Sequence, residues 1–246
     1  MQPFSLLLGV GALAGLLLTS WRAPRKDVIR YLDAATLVLL FALLGSRALA
    51  VAFNWGYYGS HLSEIIQVWQ GGLSGLGALA GGVLAIFVLA RWWKLSTGLL
   101  ADSLFPLAGA LVITSWLGCW ADTCAYGIPS LAWWALPARD EWGVIAPRLP
   151  VQLIGAILTL GSLWLSDWIN KRFPLPGLSA SIGLFIISAI VFGLSYLRAD
   201  PILIWQGLRL EAWGAIGLMI LCGLLAVVLL VRWKLKKIPV PVRRAR

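Results

Sequence analysis

Histidine is almost missing from this chain: His61 is the only one in 246 residues, beside three cysteines. A zinc or transition-metal centre has too few ligands of the right type to form, and three cysteines do not make a disulfide scaffold. No metal and no cofactor are expected. Charge is scarce too, at 12% of residues against about 25% in soluble domains. Carboxylates are few within the apolar runs, which leaves a transporter little from which to build a proton or cation relay. No basic segment precedes the first apolar run, so a cleavable signal peptide is not expected. Low-complexity tracts, useful repeats and long linkers are also missing. A single membrane domain over residues 1–246 is expected, with a basic cytoplasmic tail from about 232.

What fills the space is apolar: 60% of residues, with a mean hydropathy of +0.87. The apolar runs are the length of spanning helices, about 20 residues, rather than of barrel strands, about 10. The sequence therefore predicts an all-α, polytopic membrane helical bundle of about seven transmembrane helices. They fall at roughly 3–20, 33–53, 71–90, 98–121, 151–166, 177–197 and 212–231. Fifteen of the 20 Lys and Arg lie in segments 22–30, 91–94, 171–172 and 232–246. Arg47, Arg139, Arg148, Arg198 and Arg209 lie in or near the alternate connections. Basic residues favour the cytoplasmic side, which puts the N-terminus outside and the C-terminus in the cytoplasm. The net charge of +10 is thereby a topology signal, and a nucleic-acid partner is not expected. Residues 122–150, with Trp133, Trp134, Trp142 and four prolines, make the longest external connection, suited to the headgroup layer.

Polar and small residues gather at the outer ends of these spans. Residues 116–127 hold Gly118, Cys119, Asp122, Cys124, Tyr126 and Gly127. Cys119 and Cys124 stand about 140° apart on a helix. They are small packing residues there, and a disulfide requires the helix to break between them. The segment from Gly71 and Gly72 through Ser74 to Gly82 puts small residues on one helical face. Close helix packing is one reading; a headgroup pocket in which backbone N–H groups reach a phosphate is the other. His61, beside Glu64, has the only side chain with an ordinary pKa suited to general-base work, although a lone loop histidine is also simply solvated. Arg47 inside the second span and Arg198 beside Asp200 need partners or an anionic ligand. Internal ion pairs with Asp122, Asp200 or Glu211 are the alternative. Arg148 and Gln152 add a cation and an amide at the mouth of the fifth span.

Taken in order, these segments resemble the bacterial prolipoprotein diacylglyceryl transferase family. Trp69-Gln-Gly-Gly-Leu-Ser-Gly-Leu-Gly-Ala78 is similar to its glycine-rich segment, and residues 116–127 are similar to the cysteine-bearing form of its signature. Gly45-Ser-Arg47 with Phe53-Asn-Trp55, Arg148-Leu-Pro-Val-Gln-Leu153 and Arg198-Ala-Asp200 match three further motifs. The resemblance implies transfer of diacylglycerol from phosphatidylglycerol to the lipobox cysteine of a prolipoprotein signal peptide. It also implies a multi-pass protein of the bacterial cytoplasmic membrane, in contact with membrane lipids.

The same resemblance implies a phospholipid site at Arg47, Gly71, Gly72, Ser74, Gly118, Cys119, Gly127, Arg148, Gln152, Arg198 and Arg209. Arg198, Asp122 and His61 are the catalytic candidates. Two positions depart from the family pattern: Leu76 stands for its histidine, and Trp116 for the arginine of its signature. A base or phosphate cation contributes orders of magnitude in rate, so the departures also allow a non-catalytic homologue that binds phospholipid or lipoprotein precursors.

Overall fold

The computed structural model describes residues 3–68, 71–173 and 175–237. Trp69 and Gln70 of the glycine-rich motif, and the tail from 238 onward, lie outside the described residues. Among the described residues, seven helices are long and apolar enough to cross a membrane. They are α1 (Pro3–Arg22), α2 (Val28–Phe53), α4 (Gly75–Trp92), α5 (Thr97–Ala121), α6 (Val151–Arg172), α7 (Leu178–Ser195) and α8 (Leu210–Lys237). Between α2 and α4 come a one-turn α3 (Trp55–Tyr58) and a 3₁₀ turn (Leu62–Ile66).

Helix α5 is the hub, in contact with α1, α2, α4, α6 and α7. Its residues from Leu100 to Leu107 are nearly all buried, and it is apolar on every side, as a helix enclosed by neighbours must be. By contrast α1 and α8 expose leucines such as Leu13, Leu17, Leu221 and Leu224, which is the surface that hydrocarbon covers. Helix α2 packs on α4 through glycine. A Cβ at Gly45 would stand 3.0 Å from Gly81 Cα, and one at Gly77 2.8 Å from Leu49 Cβ. The close-packing reading of the small-residue stripe thus describes α4 well, since bare backbones let the two helices touch.

The end of the bundle opposite the glycine-rich segment is tied by one buried carboxylate. Asp102 of α5 accepts N–H bonds from Gly177 at 2.6 Å and Ala180 at 2.8 Å, capping the first turn of α7. Helix N-termini leave such donors unpaired and carry partial positive charge, so a carboxylate suits them.

Several boundaries differ from those read in the sequence. Helix α4 starts at Gly75 rather than 71 because Gly71 and Gly72 take φ of +95° and +68°, and Ser74 Oγ then accepts the Gly77 N–H as N-cap. Helix α6 runs six residues past 166 to Arg172, with Lys171 and Arg172 in its last turn, where cations favour the dipole. Two connections expected as external loops contain hairpins: β1 (Leu136–Arg139) with β2 (Ile145–Arg148), and β3 (Ile204–Trp205) with β4 (Leu208–Arg209). Gln206 and Gly207 both have positive φ, the requirement of a two-residue hairpin turn. Asp140 Oδ1 accepts from Trp142 and Val144 and closes the other turn.

Candidate functional site

The sequence-selected residues lie at one end of the bundle, in four groups. The first surrounds Arg47, which is 6% exposed. Its Nε donates to Ile65 O at 2.9 Å, Nη1 to Gly71 O and Gly72 O at 2.7 and 2.9 Å, and Nη2 to Glu64 O at 2.6 Å. The guanidinium also lies 5.0 Å from the Tyr58 ring centroid. Gly71 and Gly72 therefore present carbonyls to a cation, where the headgroup reading of this segment looked for N–H groups facing an anion. A side chain at Gly72 would stand 2.8 Å from Arg47 Nη1. His61 is exposed on the same segment, stacked 4.4 Å from the Tyr57 ring. Tyr57 donates to Glu64, and that bond raises the Tyr57 phenol above its ordinary pKa.

The second group is the disulfide loop. Helix α5 ends at Ala121, Thr123 takes φ of +60°, and the chain turns far enough for Cys119 and Cys124 to bond with Cα atoms 4.5 Å apart. The two are joined, so the reading of them as separate packing residues gives way. Asp122 Oδ2 accepts the Phe4 N–H at 2.9 Å, tying the loop to the first turn of α1. Gly118 lies under the Phe4 ring, where a Cβ would come within 2.7 Å. Gln152 donates to Cys124 O at 2.9 Å.

The third group is ionic. Arg198 meets Asp200 at 2.6 Å and Glu211 at 2.7 Å, and Arg209 meets the same two carboxylates at 3.0 and 3.1 Å. Burial opposes charge on Arg198, but Asp200 and Glu211 outweigh it and raise its pKa. Gly127 pairs with Arg198 across an antiparallel bridge, and Arg148 Nη1 donates to Gly127 O. Arg148 is itself 2.9 Å from Asp140 and 4.9 Å from the Tyr126 ring centroid. The structure thus brings Gly127, Arg148, Arg198 and Arg209 into one neighbourhood. Each cation there already faces a carboxylate, so an arriving anion must displace one or share with it. Glu211 and Asp200 were candidate ion-pair partners in the sequence; Asp140 was not, although it stands eight residues before Arg148.

The two departures from the family pattern make up the fourth group. Leu76 lies against Gly214 of α8, three residues beyond Glu211. The Trp116 indole lies over Gly155 of α6, where a Cβ would come within 2.5 Å of the ring. Trp116 joins a buried cluster with Ala125, Leu149 and Val151. Both side chains fill space between helices with apolar atoms.

A family model described as prolipoprotein diacylglyceryl transferase matches residues 1–230. Among similar proteins, the phosphatidylglycerol–prolipoprotein diacylglyceryl transferase of Thermosynechococcus vestitus is 27% identical over 213 residues, 82% of this chain and 78% of its own. Phosphatidylglycerol–prolipoprotein diacylglyceryl transferase 2 of Streptomyces coelicolor is 30% identical over 226 residues, covering 87% and 70%. The protein of that name from Geobacillus kaustophilus is 36% identical over 121 residues, 48% of this chain and 44% of its own.

Proposed function

This chain belongs to the prolipoprotein diacylglyceryl transferase family, and on that footing we propose that it moves diacylglycerol from phosphatidylglycerol to the lipobox cysteine of prolipoproteins. The observation that carries this reading is the family match over residues 1–230. The chemistry forms a carbon–sulfur bond at the diacylglyceryl carbon and breaks the bond from that carbon to the phosphate oxygen. Glycerol-1-phosphate leaves with the electron pair, and the thiol gives up its proton. Such a step needs a thiolate and a cation where the phosphate departs.

Arg198 is the proposed catalytic residue, exchanging a carboxylate for the phosphate as charge develops there. Arg148 and Arg209 steady the headgroup from either side of it. Arg47 with Gly71, Gly72 and Ser74 frames the mouth, and Gly118, Cys119, Gly127 and Gln152 frame the opposite wall. Asp122 and His61 are weaker candidates on geometry, one holding the start of α1 and the other facing outward.

The proposed setting is a bacterial cytoplasmic membrane crossed by one domain, with the site at the outer leaflet and the basic end inside. Disulfides persist in oxidising compartments, which supports an outward-facing Cys119–Cys124 loop.

Purified protein should transfer labelled diacylglycerol to a lipobox peptide, and Arg198→Gln should lower the rate by about a hundredfold. Leu76 and Trp116, packed on glycines of neighbouring helices, favour a second reading in which the homologue binds lipid or precursor without transfer. Lipid binding with no transfer, and no rescue of a strain depleted of its own transferase, would select that reading.

A further inference from the structure

Helix α1 leans on α5 rather than on α2. A Cβ at Gly15 would stand 2.8 Å from Leu107 Cα, and one at Gly11 3.0 Å from Thr114 Cβ. Bare backbone thus holds α1 against the hub, while it meets α2 much less. A cleft of about 500 Å³ remains between α1 and α2, lined by Leu13, Leu16, Leu17, Ser20, Leu32 and Thr36. The two hydroxyls turn back on their own helices, Ser20 Oγ donating to Leu17 O and Thr36 Oγ1 to Leu32 O. The walls therefore offer an occupant apolar surface.

This cleft lies at the basic end of the bundle. From Leu13 to Arg22 is about 14 Å along the axis of α1, close to half of a hydrocarbon core about 30 Å thick. The cleft has the depth of one leaflet. The connection that closes it holds Arg25 and Lys26, both exposed and without a carboxylate partner among the described residues. Arg22 is held by Asp167 at 3.4 Å, and Arg30 lies 3.8 Å from Asp27. Residues 22–33 carry four cations against Asp27 and Asp33, so the surplus charge at the mouth is positive. Trp21, 81% exposed beside it, is suited to the headgroup level.

We infer that the cleft holds one anionic phospholipid of the leaflet at that end, with an acyl chain between α1 and α2 and the phosphate on Arg25 and Lys26. An empty apolar cleft forfeits contacts along its lining, and a chain restores them. The cations then select the headgroup, because each Lys or Arg near the surface favours an anionic one. A water-soluble anion would leave the apolar walls unmet, and a zwitterionic lipid would bring an ammonium to a mouth that is already cationic. This lipid sits at the opposite end of the bundle from Arg198 and wedges α1, whose first turn is tied to the disulfide loop through Phe4 and Asp122. The inference rests on the bundle crossing a membrane and not on the transferase reading.

The experiment releases the full chain from nanodiscs of equal phosphatidylcholine and phosphatidic acid and counts the lipid it keeps by native mass spectrometry. Phosphatidic acid is the probe because it carries the charge without the headgroup of the proposed donor. The parent should keep one phosphatidic acid more than the double variant Arg25→Gln, Lys26→Gln, in which affinity should fall about tenfold. Ser20→Phe, which fills the cleft and leaves both cations, should lose the same lipid. The double variant Arg91→Gln, Lys94→Gln removes exposed cations of the same end outside the cleft, and it should keep that lipid. The arginines of the opposite end are common to all four proteins, so lipid held there cancels in the comparison.

The inference is overturned if the variant at Arg25 and Lys26 keeps as much phosphatidic acid as the parent. It is overturned equally if the variant at Arg91 and Lys94 loses as much, which reduces the effect to net charge. Retention by Ser20→Phe would put the chain outside the cleft, and equal retention of phosphatidylcholine would leave an apolar groove with no choice of headgroup. Substitutions at the exposed Arg25 and Lys26 leave the packed core untouched, so the charge comparison decides even where Ser20→Phe fails to fold.

Discussion

Arg47 gives donors to four backbone carbonyls of a single segment, residues 64–72, from a nearly closed position in α2. Guanidinium is planar and forked, so it can serve several carbonyls at once, whereas an ammonium is a compact point charge. Arg47→Lys should therefore leave two or more carbonyls unmet, at about 1–3 kcal/mol for each buried group. The measurement is limited proteolysis of segment 59–71, which should be cut faster in the variant, together with a lower melting temperature. If Arg47 instead acts mainly on the headgroup, the variant will melt like the parent and raise KM alone. That Arg47 is a buried cation was legible, because an arginine within an apolar run must find partners. What it meets was not, because carbonyls carry no letter in a sequence. Only Gly71 and Gly72 hinted at it, and they served equally well as packing residues. Arg198 was more legible: in extended segments residues two apart share a side, so Arg198-Ala-Asp200 was spaced to pair.

At the scale of elements, the cap that Asp102 supplies to α7 is a contact between residues 75 and 78 positions apart. The sequence showed a carboxylate near the start of α5, but nothing local pointed to α7. Removing the acceptor with Asp102→Ala should destabilise the bundle by about 1–3 kcal/mol. Asp102→Asn keeps one acceptor oxygen and should recover part of that loss. Thermal unfolding in detergent reads both, and equal melting temperatures for all three proteins would rule out a structural cap.

The disulfide is a second case. Its loop is short, so the entropy model assigns it about 2 kcal/mol, and replacing Cys119 and Cys124 with serine should lower stability by no more than that. Helical spacing alone set the two cysteines apart; the break after Ala121 that brings them together passes through Thr123 at positive φ, which its residue type does not announce. The hairpin at 204–209 had a readable Gln-Gly turn, yet its strands of two residues each are too short for an alternating pattern to register.

For the molecule as a whole, charge is distributed by end. The end holding the α1–α2, α4–α5 and α6–α7 connections and the tail carries 15 Lys and Arg against four Asp and Glu, and the other end five against six. At the second end the cations are largely matched, as Arg148, Arg198 and Arg209 are. At the first, Arg25 and Lys26 stand exposed with no carboxylate partner among the described residues. Unpaired cations resist translocation and are drawn to anionic headgroups, whereas paired ones add little net charge to their side. The matched end, which also holds the disulfide, is therefore the one expected to face outward.

Two single substitutions check this, since Cys222 is buried in α8 and the other two cysteines are bonded. Leu131 is fully exposed on the hairpin side, and Leu131→Cys should react with a membrane-impermeant maleimide in intact spheroplasts. Lys26→Cys, in the α1–α2 connection, should react only after the membrane is opened. The reverse pattern would place the arginine cluster in the cytoplasm, out of reach of a substrate presented at the outer leaflet, and would remove the proposed transferase together with its topology.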